Sequence, residues 1–250
     1  MCGRVTLAST AEQIVEYFQL TDLPSLPPRY NICPTQQVAV IRFDPQAGRR
    51  TLTLMQWGLI PSWASDPNIG SRMINARVET AAEKPAFREA FRQRRCLIPT
   101  DGFYEWAKLP QGKRPYWIRV RDQPIFALAG LWDCNAKLGG EPILTFTILT
   151  TDANELVRPM HDRMPLIVEP NDFELWLDPN VREPDALKTL LRRYPSEKMV
   201  AQPVGHWVND PVNEGPRCIQ PADDEPAAPP ARAPTVKKRK GEDDKQGMLF

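Results

Sequence analysis

Between residues 37 and 150 the chain passes through short stretches rich in β-branched and aromatic residues, with turn formers between them. They are Gln37 to Phe43, Thr51 to Trp57, Tyr116 to Val120, Ile125 to Leu131 and Ile143 to Thr150. Runs of this length and composition predict strands. Helical spacing is sparser. Ile14, Tyr17 and Phe18 share one helical face behind Thr10, with Gln13 three residues further on, which predicts a capped helix near the start of the chain. Pro85 suits the first turn of a helix through Arg94, with Ala86, Phe87, Ala90 and Phe91 inward and Arg88, Arg92 and Arg94 outward. Further helices are predicted over Asp172 to Trp176 and over Glu183 to Arg193. Many strands with few helices among them predict an α+β fold, with a mixed, largely antiparallel sheet or partly closed β-barrel core and peripheral helices, and not a doubly wound α/β fold.

The pattern stops near Asp223, where acidic residues, then prolines among alanines, then Lys237-Lys238-Arg239-Lys240, then Glu242-Asp243-Asp244 follow one another. Such a segment buries too little apolar surface to offset chain entropy and is expected to be disordered. The domain is therefore placed at 1–222, a tail at 223–245 and a terminal peptide at 246–250. The tail and peptide carry six basic and six acidic residues, so the near balance of the whole chain, 32 basic against 31 acidic, persists in the body. No global field draws the molecule to a polyanion, and nucleic-acid binding must come from local clusters. One cluster is the stretch Arg72 to Arg95, with seven basic and three acidic residues.

No apolar run approaches the roughly 18–20 residues that span a bilayer, and the start lacks the features of a secretory signal. A cytoplasmic monomer is expected. Five scattered cysteines, an odd number, argue against a disulfide framework, and two histidines without ligand spacing give a metal site no support. No cofactor is expected.

Residue 2 carries the most chemistry. Methionine is removed most readily before a small side chain, and Cys2 qualifies, so the mature chain is expected to begin there. An α-amine has a pKa of about 7.7–8.0 against about 10.4 for lysine, so far more of it is neutral and nucleophilic at pH 7. A 1,2-aminothiol condenses with an aldehyde to an imine, and its thiol then closes a five-membered thiazolidine ring. Gly3 permits close approach of a substrate, and Arg4 supplies a forked cation suited to phosphate.

Four segments now stand together: Met1-Cys2-Gly3-Arg4, Ile74 to Thr80 (INARVET), Asp101 to Trp106 (DGFYEW) and His161 to Pro165 (HDRMP). With Tyr30 to Pro34 (YNICP) and Trp57 to Pro61 (WGLIP), they resemble the SOS response-associated peptidase family over roughly residues 1–222. The resemblance implies a single-stranded-DNA-binding protein that loses Met1 autocatalytically and forms a thiazolidine crosslink with the ring-opened aldehyde of an abasic site. It implies a catalytic set of Cys2, Asn75, Glu105 and His161: nucleophile, orienting amide, desolvated acid/base and oxyanion or sugar donor. Taken singly, Asn75 also suits a turn, Glu105 a surface strand and His161 a loop ion pair. Arg4, Arg77 and Arg163 resemble the family's phosphate-gripping arginines, and Trp63 its stacking aromatic. Relatives can carry a second tryptophan where this chain has Ala64, which leaves the handling of flanking duplex open.

Three other classes stay in view: an N-terminal nucleophile amidotransferase, for which the chain offers no synthase domain; a protease acting on other proteins; and a non-catalytic DNA-binding module. The terminal Gln246-Gly247-Met248-Leu249-Phe250 resembles the Gln-x-x-Leu-Phe peptide that docks bacterial DNA-processing proteins on the replicative sliding clamp, with Gln246 as polar pin and Leu249 and Phe250 filling an apolar pocket. Deleting residues 246–250 is expected to abolish binding to the clamp in solution; unchanged binding removes that partner.

Overall fold

The computed structural model describes residues 2–22 and 25–222. The tail expected at 223–245 and the peptide residues Gln246, Leu249 and Phe250 lie outside the described residues.

In chain order the elements are β1 (Val5–Leu7), α1 (Ala11–Phe18), β2 (Arg29–Ile32), β3 (Gln37–Asp44), β4 (Arg49–Trp57), β5 (Asn75–Arg77), α2 (Val78–Ala81), α3 (Arg88–Gln93) and β6 (Arg95–Thr100). There follow β7 (Gly102–Leu109), β8 (Gly112–Val120), β9 (Phe126–Asn135), β10 (Ile143–Asp152), β11 (Arg163–Pro165), β12 (Ile167–Val168), α4 (Phe173–Leu177) and β13 (Met199–Pro203). They form a mixed α/β fold with two sheets. The smaller has the order β13-β8-β7-β1-β2. The larger runs β11-β10-β4-β3-β6-β9-β12, with β5 also on β10. Because β9 pairs with β10 as well as with β6, the ladder closes into a ring of hydrogen bonds through β10, β4, β3, β6 and β9. Pairing is antiparallel except where β4 and β5 meet β10.

The five strands expected from composition are all present. At Thr10 the capping box forms as the sequence suggests: its hydroxyl accepts from the Gln13 amide at 3.3 Å, and the Gln13 side chain accepts from the Thr10 amide at 2.8 Å. Two helices differ from expectation. Pro85 sits in a turn, and α3 starts only at Arg88, after the Lys84 carbonyl has accepted from both Phe87 and Arg88. Over Glu183 to Arg193 the chain forms a 3-10 helix, Pro184–Leu190, instead of an α-helix. Among the described residues no helix is long and apolar enough to cross a membrane, and no group of three or more His, Cys, Asp or Glu could hold a metal ion. All five cysteines are free thiols.

The core fills the ring and the space beneath α1, α3 and α4, with Trp57, Phe91, Phe146 and Trp176 wholly buried. One buried cation is built into it. Arg95 donates to the carbonyls of Phe91 at 2.7 Å and Trp176 at 2.6 Å, and also to those of Arg92 and Asp178. It thereby satisfies the orphan carbonyls at the ends of α3 and α4. Burial lowers its pKa to about 10.

Gly130 lies in β9, opposite Cys96 of β6 and Ile148 of β10. A Cβ there would sit 2.4 Å from Ile98 Cδ1 and 3.0 Å from the Thr147 carbonyl oxygen. Gly130→Ala is expected to destabilise the fold by about 1–3 kcal/mol, the usual cost of overpacking, measured as a shift of the denaturant midpoint; an unchanged midpoint would show the ring to be looser than drawn.

Candidate active site

The chain enters its first strand against β7. Val5 faces Phe103, Thr6 faces Gly102, and the Arg4 carbonyl accepts from the Tyr104 amide at 3.0 Å. This antiparallel run carries Cys2 toward Glu105, and Cys2 is fully buried. Asp101 secures the entry, accepting from the Thr6 hydroxyl and from the amides of Ala8 and Ser9.

From the other sheet, β5 presents Asn75 and Arg77 on the face opposite the buried Ala76. Asn75 Nδ2 donates to the Cys2 carbonyl at 2.7 Å. Asn75 Oδ1 is buried with no hydrogen-bond partner among the described residues, so it is an acceptor waiting for a donor. Arg77 is exposed and opens α2.

Glu105 is 5 % exposed. Burial raises its carboxyl to about 7, with the charge of Asp162 adding to the rise. The Cys2 thiol is pushed well above its ordinary range, first by burial and next by Glu105. His161 comes from the loop before β11. Its Nδ1 accepts from the Arg163 amide at 2.9 Å, and the same nitrogen lies 2.9 Å from Asp162 Oδ1. These two contacts favour different protonation states. Burial lowers the His161 pKa, and Asp162 is largely exposed, so its pull is weak; the neutral ring with its proton on Nε2 is the state that the geometry supports. The charge of Asp162 acts on both Glu105 and His161, raising each.

Arg163, expected to grip phosphate, spends its donors inside the protein. It forms a bidentate pair with Glu79 at 2.9 and 2.8 Å, meets Asp152 at 2.7 Å and donates to the Thr150 carbonyl at 2.5 Å. On β10, Thr150 is flanked by Arg77 of β5 on one edge and Pro165 of β11 on the other. The guanidinium therefore crosses β10 and clips its two neighbours together. Glu79 was not foreseen as a participant, although it stands in the INARVET segment.

Arg4 is half-buried. It lies over the Trp106 ring at 5.5 Å and donates to Asn31 Oδ1 and to the Val208 carbonyl. Trp63 is 53 % exposed, at a turn closed by Ala64 N–H to the Pro61 carbonyl at 2.9 Å. That turn is tied to β9: Asp133 accepts from the Ser62 amide at 2.9 Å, and Asn135 donates to the Pro61 and Ala64 carbonyls. Arg94 in turn pairs with Asp133 at 3.3 Å. Asp133 and Asn135 face the beginning of β10, whereas Asn75 and His161 flank its end, so Trp63 stands apart from the buried group. Ala64 is itself buried. A cavity of about 470 Å³ lined by Gln19, Arg49, Arg50 and Asn180 is remote from this chemistry.

The structure thus gathers Cys2, Asn75, Glu105 and His161, seats Arg77 and Arg4 at the margin, and turns Arg163 inward. Comparisons with known proteins identify the family. The chain is 43% identical over 224 residues to the abasic site processing protein YoqW of Bacillus subtilis (strain 168), covering 88% of this chain and 99% of that one. It is 32% identical over 222 residues to the abasic site processing protein HMCES of Xenopus tropicalis, covering 77% and 65% respectively. A crystal structure of a Bacteroides thetaiotaomicron protein superposes with a TM-score of 0.79 at 30% identity, covering 88% of this chain and all of that one. The profile described as SOS response associated peptidase (SRAP) matches residues 1–211, and the chain belongs to that family.

Proposed function

We propose that this protein processes abasic sites in single-stranded DNA by covalent capture, with Cys2 as the amino-terminal residue of the mature chain. The observation that carries this reading is the burial of Cys2, held through its carbonyl by Asn75, beside a carboxyl whose pKa lies near neutrality.

Hydrolysis of the Met1–Cys2 peptide bond consumes one water and frees the α-amine. The amine nitrogen adds to the aldehyde carbon of the ring-opened sugar. Glu105 in its acid form gives a proton to the hydroxyl of the carbinolamine, water leaves, the nitrogen's proton returns to the Glu105 carboxylate, and an imine remains. The Cys2 sulfur then adds to the imine carbon while its proton passes to the imine nitrogen, closing the thiazolidine. Aldehyde plus aminothiol yields thiazolidine plus water, with no oxidant or reductant. Because the thiol stays protonated until this step, the amine is the first nucleophile. Asn75 Oδ1 is placed to accept from the amine or a sugar hydroxyl, and His161 to donate from Nε2 to the opened sugar.

Arg77 and Arg4 grip phosphate in this reading, and Trp63 stacks a neighbouring base. Arg163 instead acts through Glu79 and His161: its guanidinium ties β11 to the β5–α2 junction, and its amide fixes the His161 tautomer.

On a denaturing gel, wild type is expected to form a heat-stable adduct with an abasic single-stranded oligonucleotide and Cys2→Ala none; equal adduct from both ends the proposal. Glu105→Gln is expected to slow adduct formation by about 10²- to 10⁴-fold and to remove the limb of the pH–rate profile near 7. The raised carboxyl also predicts a stability effect. Folding lifts Glu105 from its ordinary 4.5 to about 7, so its contribution is fully present below the lower value and is lost as pH rises through the upper one. Glu105→Gln should therefore be more stable than wild type at pH 8, with the gain shrinking as pH falls and vanishing only below 4.5 in denaturant melts.

Arg77→Ala is expected to weaken strand binding and to lower the salt slope of affinity by about one. Arg163→Gln should leave that slope unchanged and slow adduct formation at saturating DNA; a slope lowered equally by both would make Arg163 a phosphate contact.

A further inference from the structure

A tryptophan exposes more apolar surface than any other side chain and usually keeps it covered. Trp207 is 38 % exposed, and the Arg217 guanidinium lies over its ring at 4.3 Å. Trp207 stands in the 3-10 turn His206–Asn209 and Arg217 in the 3-10 turn Pro216–Ile219, and the two turns pack on one another.

The pair connects to the reactive end of the chain through successive contacts. Asn209 Oδ1 accepts from Trp106 Nε1 at 2.8 Å. Arg4 lies over that same Trp106 ring and donates to the Val208 carbonyl at 2.8 Å. Arg4 is two residues from Cys2. A cation–aromatic pair thus sits beside the site, and a second sits one 3-10 turn further out. Arg217 lies beyond the residues 1–211 that the family profile matches.

We propose that Trp207 and Arg217 form a second contact for single-stranded DNA, extending the path of the strand from Cys2 across Trp106. This rests on the reading that the site takes a lesion in such a strand. An unpaired strand offers flat bases alternating with anionic phosphates, and an aromatic ring paired with a guanidinium meets both. The neighbouring carboxylates are engaged by backbone: Glu214 accepts from the amides of Tyr30 and Asn31, and Asp210 from that of Val212. With these acids close by, stacking contributes more to the contact than charge.

The test uses the full-length protein and oligonucleotides carrying an unreactive tetrahydrofuran in place of the abasic sugar. One series grows only on the 5′ side of the analogue and the other only on the 3′ side, with affinity read by fluorescence anisotropy. Wild type is expected to gain about tenfold in affinity when one of the two arms reaches the second contact. Each variant's own affinity for the shortest oligonucleotide is its reference, so a general loss of fold cannot imitate the result. Trp207→Ala should abolish the gain and Trp207→Phe restore most of it. Arg217→Ala should reduce it and lower the salt slope of the long oligonucleotide by about one. Arg182→Ala, which removes an exposed cation from the loop after α4, should leave the gain intact. No gain from either arm, or a gain that survives Trp207→Ala, overturns the contact. Adduct formation at Cys2 is scored separately. A wild-type adduct with a gain indifferent to Trp207→Ala sinks this contact alone, whereas a gain lost in Trp207→Ala without any wild-type adduct supports the contact and sinks the covalent chemistry.

Discussion

Strand β10 is hydrogen-bonded to four others, and the positions of Asn75, Arg77 and His161 depend on that sharing. On one edge β4 gives way to β5, and on the other β9 gives way to β11. Asn75 and Arg77 are therefore fixed by the same backbone that fixes the strand following His161. The ring that closes through β9 holds β10 in register, since a slip of one residue would turn its buried side chains to the opposite face. Only Cys2 and Glu105 come from the second sheet, and the hydrogen bond from Asn75 to the Cys2 carbonyl joins the two sheets at the point where chemistry is proposed.

Electrostatics at this junction follow from dryness. A carboxyl at the surface stays ionised at neutral pH, whereas Glu105 is nearly enclosed and close to half-protonated. The same exclusion of water keeps His161 neutral and the Cys2 thiol protonated. Arg163 shows the opposite solution: a charge turned inward is tolerated because Glu79, Asp152 and the Thr150 carbonyl meet its two terminal nitrogens.

Much of this was legible in the chain. Strands β3, β4, β8, β9 and β10 were visible because their β-branched and aromatic runs are long enough to stand out, and the capping box at Thr10 is a purely local signal. The short strands β1, β5, β11 and β12 were not visible, because two or three residues carry no periodicity and their pairing is decided by distant partners; β2, β6, β7 and β13 also went unread, because residues such as Pro99, Gly102, Lys108 and Pro203 dilute the strand composition. Pro85 suited a first helical turn by composition, but the chain makes a turn there closed on the Lys84 carbonyl, and the helix starts at Arg88. The grouping of Cys2, Asn75, Glu105 and His161 could be named from the resemblance, yet no spacing in the sequence shows which of them face each other. Arg163 illustrates the limit: an arginine in a motif looks the same whether it reaches outward to phosphate or inward to Glu79, and only the fold distinguishes the two. Trp207 and Arg217 were overlooked because partners that lie against one another stand ten positions apart in the chain.

The enclosure of Cys2 has a bearing on how long the molecule stays serviceable. Thiols are lost to peroxides, to mixed disulfides and to stray electrophiles in proportion to their thiolate character and access. A sulfur that is wholly covered and held in its protonated form offers neither. The protein keeps its sulfur out of circulation the way a two-part adhesive keeps its hardener apart, and the fold itself is the wall between them.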